Sequence, residues 1–189
     1  NFWPQRHYGF PIWDGGSLAK KTLLVHWEQG FGDIIQFCRY LPLIKSLDAP
    51  PAKLLFDCPD KLIPLFTDWD CLDEIADFGD TPPEVDYFIP LMSLPGRLGT
   101  TLETIPAATP YLVNPLSDHF EVPPLARTNL KVGIVWASDH GASYRRKVCP
   151  LAEIANLFDM KQIAFYGLQF GEDARELDAY TARENVHNL

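Results

Sequence analysis

The chain has 189 residues, is 47% hydrophobic and 13% aromatic, and carries a formal net charge of −9 at pH 7. That length and composition suit one large or two small globular domains with a real core. The acidity excludes broad nucleic-acid binding, which needs a basic face, and no run reaches the roughly 18 apolar residues of a membrane span.

Four scattered cysteines, Cys38, Cys58, Cys71 and Cys149, lack C-x-x-C spacing. They read as reduced thiols of a cytoplasmic protein rather than a zinc site or a disulfide framework. The chain begins at Asn1 without a visible signal peptide, and we read it as a piece of a longer protein.

Residues 1–21 form an irregular lead-in, with Trp3, Tyr8, Phe10 and Trp13 among prolines and a Gly15-Gly16 pair, expected to pack on the first domain. Leu23-Leu24-Val25, between Thr22 and His26-Trp27, reads as a short buried strand. A turn follows, Glu28-Gln29-Gly30-Phe31-Gly32-Asp33. Apolar residues then recur at Ile34, Phe37, Cys38, Leu41 and Ile44, the spacing of one helix face. Pro42 is expected to kink that helix or end its first part near Leu41.

Lys53 to Cys58 is a second strand, and Asp60 is placed to cap a short helix through Phe66. Cys71 to Phe78 reads as a short strand or one helical turn. Asp86 to Leu91 is a strand, and Gly99-Thr100-Thr101 makes a turn and a cap. Prolines cluster from Ile105 to Thr128, so a domain boundary is expected near Asn129. Lys131 to Ala137 restarts the pattern as a strand, followed by a polar loop from Ser138 to Lys147. A helix over Pro150 to Phe158, a strand over Gln162 to Leu168, an acidic amphipathic helix over Gly171 to Arg183 and the start of a strand at Val186 complete the chain. The predicted division is a lead-in over 1–21, an N-terminal domain with its proline-rich linker over 22–128, and an incomplete C-terminal domain over 129–189.

Strand, two-glycine turn and helix make the opening unit of an open α/β sheet, whose ligands bind at the carboxyl ends of the strands. Gly30 and Gly32 would permit a tight turn and close approach of a ligand, and the helix start offers free N–H groups. Asp33 reads as an N-cap or as a functional acid. Gly30 and Gly32 give only G-x-G, with Ile35 where a dinucleotide fingerprint has its third glycine, although Asp57 stands where a ribose-binding acid would. His26 is expected to be a packed, hydrogen-bonded histidine, and Arg39 to face solvent or pair with an acid. The loop after Trp136 gathers Arg145, Arg146 and Lys147 at a strand end, where cations suit a diphosphate; the alternative is a solvated basic loop.

LLVHWEQGFGDIIQFCRYLPL, followed in order by DYFIPLMSLP, GTTLETIPAATPYL, VGIVWA and FYGLQ, resembles a bacterial group of glycosyltransferases. These often follow tetratricopeptide repeats. They are related to the ADP-heptose:lipopolysaccharide heptosyltransferases (glycosyltransferase family 9) and more distantly to O-GlcNAc transferase-like enzymes. The resemblance covers nearly the whole chain and is most specific over EQGFGD-IIQF-RY. It implies a GT-B type α/β fold, with a Rossmann-like N-terminal acceptor domain and the truncated start of a second Rossmann-like domain for the nucleotide-sugar.

It further implies sugar transfer from a nucleotide-diphosphate sugar to a hydroxyl of a glycan, lipopolysaccharide or protein, without a metal or other cofactor. Asp33 would be the catalytic base. Glu28, Gln29, Gly30 and Gly32 would shape the acceptor side, and Lys147, Arg145 and Gln169 would hold the donor. The family loop before the P-L pair usually reads like asparagine-proline-x-histidine and ends in arginine-serine. Here Ser138-Asp139-His140-Gly141 and Lys147-Val148 depart from that. The implied setting is cytoplasmic, with at most peripheral contact with the inner membrane and tetratricopeptide repeats upstream in the parent. The family's later aspartate-threonine-alanine-histidine region is not in these residues, so this piece is expected to have little activity alone. Two alternatives stand beside this reading: a non-catalytic glycan- or protein-binding module derived from a transferase, and a nucleotide-binding oxidoreductase.

Overall fold

The structure is a computed structural model that describes residues 8–79, 81–112, 130–137 and 148–189. The chain divides into two compact units, Asn1–His119 and Phe120–Leu189, each with its own sheet. It is mixed α/β, and every strand pair is parallel. Among the described residues, no helix is long and apolar enough to cross a membrane.

In the first unit, β1 (Thr22–His26), β2 (Lys53–Asp57), β3 (Glu74–Ala76) and β4 (Tyr87–Pro90) lie in the order β3-β2-β1-β4. The central β1 is apolar without alternation because both its faces are covered, as in parallel sheets generally. Leu23 and Val25 belong to one cluster with Ile34, Leu41, Ile44 and Phe56. Leu24 packs on the other face with Leu55, Val85 and Phe88. The lead-in adds to this sheet: Trp13 is buried, Ile12 bridges Phe88, and Trp13 N–H donates to the Phe88 carbonyl at 2.9 Å. Asp86 closes the start of β4 by accepting from Thr22 N–H and Lys21 Nζ, both at 2.8 Å. The Lys21 bond is the larger cause that holds its carboxyl below the usual aspartate value.

The helix after β1 breaks earlier than the sequence suggests. It runs as α1 (Phe31–Phe37), a 3-10 turn over Cys38–Tyr40, and α2 (Leu41–Lys45). Pro42 opens the second segment rather than closing the first. It has no N–H for the Cys38 carbonyl and would clash with it, so the loosened turn falls just before the proline. The expected helix capped by Asp60 is one 3-10 turn, Ile63–Leu65, without a side-chain cap. The ambiguous stretch at 71–78 is resolved as the strand β3. After β4 come a 3-10 turn, Leu91–Ser93, and α3 (Leu94–Arg97).

The second unit holds β5 (Leu130–Ile134), α4 (Leu151–Ile154), β6 (Ile163–Gly167) and β7 (Val186–Asn188), in the sheet order β5-β6-β7. Its core is Trp136, Leu151, Phe158, Phe165, Leu177 and Val186. The helix expected through Phe158 tightens into a 3-10 segment, Ala155–Asp159. The helix expected over Gly171 to Arg183 is a 3-10 segment, Glu172–Tyr180, that buries only Leu177. One apolar anchor gives a helix little tertiary support. β5 stops at Ile134, sooner than expected, because Trp136 and Ala137 N–H are taken by the side chain of Gln169.

Candidate functional site

The order β3-β2-β1-β4 reverses at β1: the chain goes from β1 to β2 on one side and reaches β4 on the other. In open parallel sheets the crevice at such a reversal, outside the carboxyl ends of the strands, is the usual ligand site. Glu28 stands at that place. It leaves the end of β1 half-buried, and its Oε2 accepts from Met92 N–H, beyond the end of β4, at 3.3 Å. Burial pushes the Glu28 carboxyl above the ordinary glutamate value, against the opposing pull of the Met92 N–H bond. A carboxylate that has lost part of its hydration is a stronger base than an exposed one.

Asp33 lies in the next turn, half-buried, but it is not the N-cap. Gly30 is the N-cap of α1, with φ −91° and ψ 170°, and Asp33 is the third helical residue. Its Oδ2 reaches back to accept from Gly30 N–H at 3.0 Å, the carboxylate half of a capping box. Its Oδ1 accepts no hydrogen bond among the described residues.

The role expected of the glycines is also corrected. The left-handed residue of the turn is Gln29, at φ 60°, and neither Gly30 nor Gly32 has a positive φ. A Cβ at Gly32 would meet nothing within 4 Å, and one at Gly30 would meet only Asp33 Oδ2, at 3.6 Å. The backbone therefore does not require glycine at Gly32; what glycine provides there is a bare backbone surface past the carboxyl end of β1. Gly32→Ala is expected to stabilise the fold by about 0.5 kcal/mol, because alanine loses less entropy in a helix. It should also weaken binding of any ligand that rests on this turn. Thermal unfolding read beside ligand titration checks both halves.

Neighbouring groups are occupied by structure. His26 is 3% exposed, its Nδ1 donates to the Trp27 carbonyl at 3.1 Å, and its ring packs edge-on against Tyr8. Asp57 is fully buried and accepts from Tyr8 Oη at 3.2 Å and Phe78 N–H at 3.0 Å. It holds the end of β2 together rather than offering itself to a ribose. Arg39 pairs with no acid among the described residues: it donates to the Pro106 carbonyl at 3.1 Å and lies over the Tyr111 ring at 4.3 Å. Tyr111 Oη donates to the Ile35 carbonyl at 3.1 Å, so the stretch after α3 is tied down along the helix. A groove of about 570 Å³ runs beside it, lined by Phe37, Arg39 and Tyr40 and by Pro95, Thr101 and Leu102. Neither carboxylate of the crevice lines this groove.

In the second unit, Gln169 Oε1 accepts from Trp136 N–H at 3.2 Å and Ala137 N–H at 2.9 Å, and its Nε2 donates to the Phe170 carbonyl at 3.1 Å. Its amide is used to fasten the end of β5 to the segment after β6. Arg145 and Lys147 lie outside the described residues. Among the described residues, no group of three or more His, Cys, Asp and Glu side chains is arranged to hold a metal ion.

Glu28, Gly30, Gly32 and Asp33 are thus brought together on one turn, with Gln29 as its exposed corner. The sequence gives no sign of the amide of Met92 as the partner of Glu28. That contact spans 64 positions and depends on β1 and β4 being neighbours. Comparisons with protein-family models, with curated proteins and with solved structures return no match to this chain.

Proposed function

We propose that this chain is part of a GT-B type glycosyltransferase that moves a sugar from a nucleotide-diphosphate donor to an acceptor hydroxyl. The observation that carries the reading is the half-buried Glu28 carboxylate at the reversal of the sheet, beside the Asp33 carboxylate and a glycine backbone left bare at Gly32. Sugar transfer needs an acceptor hydroxyl held against a carboxylate that takes its proton as the oxygen attacks the anomeric carbon. It also needs the diphosphate leaving group neutralised by cations. Asp33 serves as that base through Oδ1, its Oδ2 being held by Gly30 N–H. Glu28, shielded and fixed by Met92 N–H, orients the acceptor and raises the negative potential of the crevice. The second unit takes the nucleotide, with Lys147 and Arg145 on the diphosphate, as the resemblance implies.

The test is an assay of the whole protein with a panel of nucleotide-diphosphate sugars, in buffer containing a chelator. Release of nucleoside diphosphate that requires an acceptor is the expected outcome. Failure of the whole protein to bind or consume any donor would reject the reading. The groove along α1 favours one other reading, a non-catalytic module that binds a glycan or a protein there. Acceptor binding that survives the loss of both carboxylates, with no turnover of any donor, would select it.

A further inference from the structure

Phe170 is 95% exposed, the most solvent-exposed large apolar side chain among the described residues. It makes no ring contact among those residues, so the fold gains nothing from an aromatic at this position. Its setting is nevertheless fixed. Just before it, Leu168 N–H donates to the Ile134 carbonyl at 2.9 Å, and Gln169 is locked to Trp136 and Ala137. Just after it, the chain turns through Gly171 at φ +91°. Leu168, 54% exposed, and Val135, 63% exposed, stand on the adjoining ends of the same strand pair. An exposed aromatic ring on an anchored backbone, with exposed apolar side chains on the same strand ends, is a surface suited to a flat apolar ligand.

The topology says which part of a ligand belongs there. β6 is the second strand of its parallel unit and lies beside the first, β5. In mononucleotide-binding units the turn after the first strand takes the phosphates and a side chain further along the chain takes the ribose, so the base lies away from the first turn, toward the neighbouring strand end. Arg145 and Lys147 follow the first strand in the sequence, whereas Phe170 follows the second. Glu172 comes two residues after Phe170 and is exposed, which disfavours a phosphate at this spot and suits an uncharged base. We infer that Phe170 is the stacking platform for the base of the nucleotide donor, a positioning role that sets affinity for the donor. The inference rests on the transferase reading.

The experiment is calorimetry of the full chain with ADP, GDP, UDP, CDP and inorganic pyrophosphate, for the wild type and for Phe170→Ala and Phe170→Trp. Loss of a base–aromatic stack should weaken nucleotide binding about ten-fold or more in Phe170→Ala. Phe170→Trp should bind at least as well as wild type, and pyrophosphate affinity should not change in either. Unfolding temperatures should be equal, since the ring is exposed. Nucleotide binding by Phe170→Ala equal to wild type would overturn the stacking role and leave the transferase reading standing, as would an equal loss for pyrophosphate. A wild type that binds no nucleotide would overturn the stacking role, while the transferase reading is decided by the donor assay.

Discussion

Asp33→Asn is expected to lower sugar transfer by about 10²–10⁴-fold, the usual contribution of a positioned general base, while leaving the protein folded. Asparagine keeps an oxygen that can accept from Gly30 N–H in place of Oδ2, so the turn keeps its internal bond. What is lost structurally is a negative charge in the first turn of α1, worth about 0.5 kcal/mol through the helix dipole. Turnover and denaturant unfolding measured on the same preparation separate the two effects. Activity close to wild type would leave Asp33 as a structural residue only. Donor binding should be unaffected, because the donor is assigned to the other unit.

Glu28→Gln is expected to move stability and activity in opposite directions. Burial holds the carboxyl of Glu28 above its ordinary value, so the folded state binds the proton more tightly than the unfolded chain. A group shifted this way costs stability when ionised, above its folded pKa, and that cost is lifted as pH falls through the folded pKa. Glutamine keeps the acceptor for Met92 N–H and removes the charge. The variant should therefore unfold about 1–2 °C higher than wild type at pH 7, a small rise because water still reaches the group and screens it. The difference should close as the pH is lowered through the glutamate range. Transfer should fall about ten-fold or more. Stability that rises as activity falls is the mark of a residue kept for a site rather than for the fold. A lower melting temperature at pH 7 would mean that Glu28 supports the fold through its charge.

Much of the architecture was legible in the residues. The uninterrupted apolar run Leu23-Leu24-Val25 announces a strand covered on both faces, and the spacing of Ile34, Cys38, Leu41 and Ile44 announces the helix face that covers one of them. These patterns are local, and burial enforces them. The position of the helical break was not legible, because a proline forbids a bond to the residue four before it. The visible defect therefore falls upstream of the proline that causes it. Gly30 and Gly32 suggested a tight turn, but the left-handed corner is Gln29. Asp33 suggested a cap, but it sits inside the first turn and reaches back to Gly30. Both differences are shifts of a few residues in where the helix begins, which a spacing argument does not resolve.

Sequence alone determined that this is an α/β chain of short buried strands, and that a two-glycine turn with two acids follows the first of them. Only the tertiary structure decided that β1 lies between β2 and β4, so that the turn opens at the reversal of the sheet and Glu28 meets the amide of Met92. It alone decided that Asp57 and the Gln169 amide are used within the fold, while Phe170 is left in solvent. The reason is physical: periodicity reports which side of its own element a residue faces. What stands opposite is set by strand order and register, which join residues far apart in the chain.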